Sequence, residues 1–161
     1  MSTEAQLMAG DMCPDFAAED ANGEIWSLSK LKEEGKTCIL YFYPKDNTPG
    51  CTKQACDFRD NMASLQSKNF VVLGVSKDSA TSHERFSSKH ELNFPLLLDE
   101  ELALHQKFGT WGEKKNYGRT YMGCIRSTFV IDSNGEIIWA RYNVKAKGHV
   151  DMLLRELNLD E

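Results

Sequence analysis

Apolar residues in this chain collect in short runs separated by polar stretches. "CILYFYP" (38–44) is a near-continuous apolar run ended by a proline. It predicts a central strand buried on both faces. "FVVLGVS" (70–76) and "FPLLLD" (94–99) are of the same kind. "STFVID" (127–132) and "EIIWARY" (136–142) flank "SNG", a turn signal, and predict a β-hairpin. A smaller hairpin is predicted near the N-terminus, where "ANG" separates "DFAAED" from "EIWSLS".

Helical spacing falls between these runs. From Pro49 to about Ser67, Ala55, Phe58, Met62 and Leu65 share one face and predict a single long helix. Further helices are predicted over about 81–89, 101–107 and 147–157; the last carries Val150, Leu153, Leu154 and Leu157 on one stripe. Strand, helix, strand, helix, strand, hairpin and closing helix make an α/β fold, a central mixed sheet flanked by helices. No repeat, low-complexity tract or linker interrupts the order, so residues 1–161 read as one domain.

Charge and composition narrow the functions. A net charge of −5, with basic residues spread along the chain, argues against a nucleic-acid or anionic-membrane partner. No run approaches the roughly 18 apolar residues of a membrane span, and "MSTEAQLMAGDM" lacks the features of a secretory signal. Five cysteines, Cys13, Cys38, Cys51, Cys56 and Cys124, are an odd and sparse set. They fit a reducing cytoplasm, where a paired cysteine is catalytic or metal-binding more often than structural.

The chemistry concentrates at "NTPGCTKQAC". Thr48 is a good N-cap and Pro49 a good first helical residue, which puts Cys51 in the first turn. Free N–H groups and the positive dipole end there favour a thiolate, the nucleophilic form. Read alone, Cys51 is equally a small buried filler. Cys56 falls on the polar face of the same helix. Five residues rotate by roughly 140° and rise about 7.5 Å, a Cα separation of about 8–9 Å. A disulfide needs less than about 7 Å, so joining the two thiols requires the first turns to unwind. A zinc site would want four ligands in closer pairs, and a thioredoxin-type redox pair would show C-x-x-C. Attack by one thiol and resolution by the second is the better reading.

At these residues the sequence resembles the peroxiredoxins. "PKDNTPGC" carries P-x-x-x-T-x-x-C at Pro44, Thr48 and Cys51. "TPGCTKQACDFRD" and "WGEKKNYGRTYMGCIRSTFVID" (111–132) are similar to the bacterioferritin-comigratory-protein (PrxQ) subfamily, as are "GDMCPDF" and "GHVDMLL". The resemblance implies a thioredoxin-like fold, with the N-terminal hairpin as an extension, and a thiol peroxidase. It implies that Cys51 is peroxidatic, that Thr48 and Arg126 complete its site with Pro44 in support, and that Cys56 resolves. Substrates would be hydrogen peroxide and organic hydroperoxides, and thioredoxin the reductant. No metal or organic cofactor is implied, and the chain would be a monomer. The alternatives are a one-cysteine peroxidase in which Cys56 does not resolve, and a redox sensor that changes contacts on oxidation. Gln54 departs from the subfamily's frequent glutamate, and Cys13 from its frequent alanine.

The remaining candidates read as support. Cys38 belongs to a buried strand, and Cys13 and Cys124 are bystanders. His83, His90, His105 and His149 have no partner at ligand or triad spacing. Arg59 and Asp60 support the helix, with Arg59 able to lean toward the site. Trp111 and "GEKKNYGR" form a long loop before a strand.

Overall fold

The computed structural model describes residues 6–159. In chain order, β1 (Ala17–Glu19) and β2 (Ile25–Ser27) lead into α1 (Leu28–Glu33) and β3 (Thr37–Phe42). The chain continues through α2 (Pro49–Asp60), α3 (Met62–Ser67), β4 (Phe70–Ser76), α4 (Ala80–His90) and β5 (Leu96–Leu98). Then come α5 (Ala103–Phe108), β6 (Trp111–Asn116), β7 (Arg119–Cys124), β8 (Ser127–Ile131), β9 (Ile137–Arg141) and α6 (His149–Glu156).

The central sheet has five strands in the order β5-β4-β3-β8-β9. β3 runs parallel to β4 and antiparallel to β8, so the sheet is mixed. This is the mixed α/β architecture that the pattern of strands and helices predicts, and the thioredoxin-like fold that the resemblance implies. β3 is apolar almost throughout because both its faces are covered. Cys38, Leu40 and Phe42 face one core, shared with Leu31 of α1 and Leu104 and Phe108 of α5. Ile39, Tyr41 and Tyr43 face the other, shared with Cys51, Ala55 and Phe58 of α2 and Val150, Leu153 and Leu154 of α6. Tyr41 lies flat on β4 at Gly74, where an added Cβ would stand 3.1 Å from its ring and 2.9 Å from Leu96. A residue larger than glycine there forces the packing apart.

Two expectations need correction. The single helix over 49–67 is two, α2 and α3, broken at Asn61. The Asn61 side chain donates to the Asp57 carbonyl (2.8 Å), and its own N–H donates to Phe58 O three residues back (3.0 Å). An asparagine amide competing with the ladder in this way ends the regular turn. The expected long loop at Trp111 and "GEKKNYGR" is the hairpin β6–β7. Its two-residue turn, Tyr117-Gly118, has positive φ at both positions (52° and 79°), as the right-handed twist of paired strands favours. The remaining predicted strands and helices are present, within a few residues of their expected ends.

α6 begins at His149, which is buried against β8, with Thr128 Oγ1 2.9 Å from its Nε2 and, among the described residues, no partner for its Nδ1. Burial, and then the charges of Arg126 and Arg141, push the imidazole down to about 4. The folded state therefore binds this proton less readily than the unfolded chain, whose histidine titrates near about 6.5. Its contribution to stability is complete above that value and is lost as pH falls toward 4. Urea titrations at pH 7 and pH 4.5 are expected to show a loss of roughly 2–3 kcal/mol from this group. A His149→Gln variant should show a correspondingly weaker pH dependence; an unchanged one would assign the acid lability elsewhere.

Candidate active site

Pro44 ends β3 by withholding an N–H, and the loop of residues 44–48 turns the chain up into α2. Asn47 takes the left-handed region (φ 63°), which asparagine tolerates better than most residues. Thr48 is the N-cap residue by backbone geometry, and its carbonyl accepts from Thr52 N–H (2.8 Å). Its hydroxyl does not cap the helix, however. It donates to the Lys45 carbonyl (3.0 Å), which corrects the expectation that Thr48 caps with its side chain. The first-turn N–H groups are thus left without a side-chain cap, and both lone pairs of the Thr48 hydroxyl remain open.

Cys51 sits in that first turn with 2% of its surface exposed. Arg126 reaches it from the two-residue link between β7 and β8. One guanidinium nitrogen, Nη2, lies 3.3 Å from Cys51 Sγ, and the other, Nη1, donates to Gln54 Oε1 at 2.6 Å. Nη2 also lies 3.4 Å from the place of a Cβ on Gly50, so the guanidinium rests against the helix entrance. Gln54 is fully buried one turn beyond Cys51, and it fixes the plane of the fork. The Gln54 amide carries no charge, so it leaves the arginine's charge uncancelled next to the sulfur. Among the described residues, Gln54 Nε2 and the Tyr41 hydroxyl are buried without partners, and Tyr41 packs in the same core as Cys51.

The structure thus brings Arg126 to Cys51, with Thr48 as the N-cap residue of the same helix and Pro44 at the start of the loop that leads into it. Cys56 is half-buried on the same helix, and all five cysteines are free thiols. Cys51 and Cys56 belong to no cluster of three or more metal-ligating side chains among the described residues. Arg59 is turned away: it donates to the His90 carbonyl (2.7 Å) and pairs with Asp60 (3.0 Å). Sequence reasoning noted Gln54 only as a departure, although its spacing of three from Cys51 puts it on the same face. It also missed the partners of two fully buried histidines: His83 meets Asp46 (2.7 Å), 37 positions away, and His105 meets Asp99 (2.6 Å), six positions away across the turn into α5.

The other thiols are of a different kind. Burial pushes Cys13 up to about 12, with the charge of Asp15 adding to it. Burial likewise takes Cys124 to about 12, against the opposing charges of Lys114 and Arg126, and raises Cys38 as well. At neutral pH these three are protonated and inert.

Residues 9–140 match the AhpC/TSA family. The chain is 47% identical to peroxiredoxin Bcp of Bacillus subtilis over 148 residues, covering 92% of this chain and 93% of that one. It is 43% identical to peroxiredoxin Bcp of Escherichia coli K12 over 151 residues, 94% and 96% of the two chains. PrxQ of Xylella fastidiosa superposes with a TM-score of 0.88 at 32% identity, covering 96% of this chain and 98% of that one. The Xanthomonas campestris bacterioferritin comigratory protein, studied for alkyl peroxide reduction, superposes at 0.82 with 36% identity and coverage of 89% and 90%. The chain belongs to the AhpC/TSA family, and within it to the Bcp/PrxQ peroxiredoxins. It is accordingly a thiol peroxidase, and membership of the family implies peroxide substrates and a reductant of the thioredoxin type.

Iodoacetamide at pH 7 is expected to label Cys56 in the folded protein and to leave Cys13, Cys38 and Cys124 unmodified until denaturant is added. Peptide mass mapping checks this. Native labelling of Cys124 at the rate of Cys56 would contradict the burial assigned to it.

Proposed function

We propose that Cys51 is the peroxidatic thiol, that Thr48 and Arg126 bind and polarise the peroxide with Pro44 shaping the floor, and that Cys56 resolves the product. The observation that carries this reading is the Arg126 fork, with one nitrogen on the Cys51 sulfur and the other locked by Gln54.

The Cys51 thiolate attacks the terminal peroxide oxygen. The S–O bond forms as the O–O bond breaks, and the leaving oxygen departs as water or an alcohol once it has taken a proton. Arg126 stabilises the thiolate and the negative charge that develops along the O–O axis. The Thr48 hydroxyl, with open lone pairs, accepts from the peroxide O–H. Cys51 is left as a sulfenic acid, which condenses with the Cys56 thiol; the S–S bond forms and water leaves. Exchange with an external dithiol returns both thiols and carries away the oxidising equivalents as that partner's disulfide. Cys56 stands on the more exposed face of α2, which favours attack from outside. Hydrogen peroxide and organic hydroperoxides are the substrates proposed, thioredoxin the dithiol and a monomer the working form, on the strength of the same subfamily resemblance; the bacterial cytoplasm is the location proposed, on the sparse, odd set of cysteines.

The test is peroxide-dependent NADPH oxidation coupled through thioredoxin and its reductase. Cys51→Ser should abolish turnover, and a fully active serine variant would sink the assignment. Arg126→Lys keeps the charge but loses the fork, and should slow the oxidation step by about 10²-fold or more. Cys56→Ser should consume one equivalent of peroxide and then stall; steady turnover would instead identify a one-cysteine enzyme.

A further inference from the structure

The loop that carries Thr48 into α2 is held by a buried polar cluster that touches neither the sulfur nor the guanidinium. Asp46, 5% exposed, lies between Pro44 and Thr48. Its Oδ1 accepts from the Tyr43 hydroxyl (2.6 Å). Its Oδ2 accepts from the Ser82 hydroxyl (2.8 Å) and lies 2.7 Å from His83 Nδ1. Its backbone N–H donates to Asp78 Oδ2 (2.9 Å), which also accepts from Ser76 (2.7 Å). The other ring nitrogen, His83 Nε2, is 2.9 Å from the Leu97 carbonyl.

A carbonyl oxygen can only accept, so Nε2 carries a proton. The Asp46 carboxylate accepts from the Tyr43 and Ser82 hydroxyls and faces Nδ1 at 2.7 Å as a third acceptor contact, so Nδ1 carries a proton too. We propose that His83, as a doubly donating imidazolium, is a positioning residue for the peroxidatic loop: it clamps Asp46 to β5 and so holds residues 44–48 and the entrance of α2 in register with Arg126. The proposal rests on the reading of Cys51 as the reacting thiol and adds to it a residue remote from the chemistry.

The groups facing His83 agree with this state. Burial opposes the charge most strongly. It is outweighed by the hydrogen bond and charge of Asp46, the Leu97 carbonyl and the charge of Asp78, and the net effect raises the imidazole above its ordinary value. The clamp is therefore complete below the unfolded-state value near 6.5 and is lost as pH rises through the raised folded value. Neutral His83 must present a lone pair either to the Asp46 carboxylate or to the Leu97 carbonyl, and one side of the clamp is released.

The experiment measures the rate of Cys51 oxidation by hydrogen peroxide between pH 6 and 9.5, by rapid quench, alkylation and peptide mass analysis, together with ¹⁵N–¹H NMR of the His83 ring. At pH 7 both ring nitrogens should be protonated, and the wild-type rate should fall on the alkaline side in step with the ring's titration. His83→Gln should lower the rate at pH 7 by roughly 10- to 100-fold and remove that alkaline fall. Asp46→Asn, close in size, should behave alike and is the variant to read if His83→Gln does not fold. The double variant should be no slower than the worse single one, as expected for two residues acting as a unit. His105→Gln disrupts a comparable buried His–Asp pair away from the loop, and should cost stability without changing the pH profile. A neutral His83 ring at pH 7, a His83→Gln rate within twofold of wild type, or the same profile change in His105→Gln would each overturn the proposal. A wild-type Cys51 that does not oxidise would instead overturn the peroxidatic reading, and the ring's protonation, seen by NMR, tells the two failures apart.

Discussion

A guanidinium held 3.3 Å from a buried sulfur is the contact on which this molecule is organised. Its partners are 75 residues apart, so it exists only when three separate events agree. β3 must leave the sheet at Pro44, α2 must start at Pro49, and β8 must pair antiparallel to β3 so that residue 126 arrives over the helix entrance. The pairing of Phe42 with Ser127 places Arg126 just past the end of the ladder, where its side chain can turn toward α2. A one-residue slip would carry it to the other face.

The same arrangement limits how resolution can occur. Cys51, Gln54, Ala55 and Phe58 form the buried face of α2, whereas Cys56 lies off it. An internal disulfide requires the first turns to leave the core, which removes Cys51 from the arginine and frees Gln54. Phe58, fully buried and stacked at 4.7 Å on Tyr41, stays as the anchor about which those turns would unwind. The break at Asn61 separates α3 from this change.

Much of this was legible in the sequence, for identifiable reasons. β3, β4, β8 and β9 are apolar runs with clear stops, and Thr48-Pro49 marks a helix start without tertiary help. The site came partly from local physics, at Cys51, and partly from resemblance, at Arg126, since nothing local distinguishes that arginine from a surface charge. The hairpin β6–β7 was hidden because its strands are largely exposed and carry no period-two apolar pattern. The helix break was hidden because Asn61 acts through a side-chain bond that spacing does not reveal. His83 seemed solitary because Asp46 stands 37 positions away, and only the fold closes that distance.

The central claim is that Cys51 and Cys56 form one oxidation circuit. Its most direct test is the intact mass and disulfide map of the protein after a single equivalent of hydrogen peroxide. The account predicts a loss of two hydrogens per chain and one internal bridge, Cys51–Cys56, with Cys13, Cys38 and Cys124 still thiols. Oxidation that stops at the sulfenic acid of Cys51, or a bridge from Cys51 to Cys124, would contradict it.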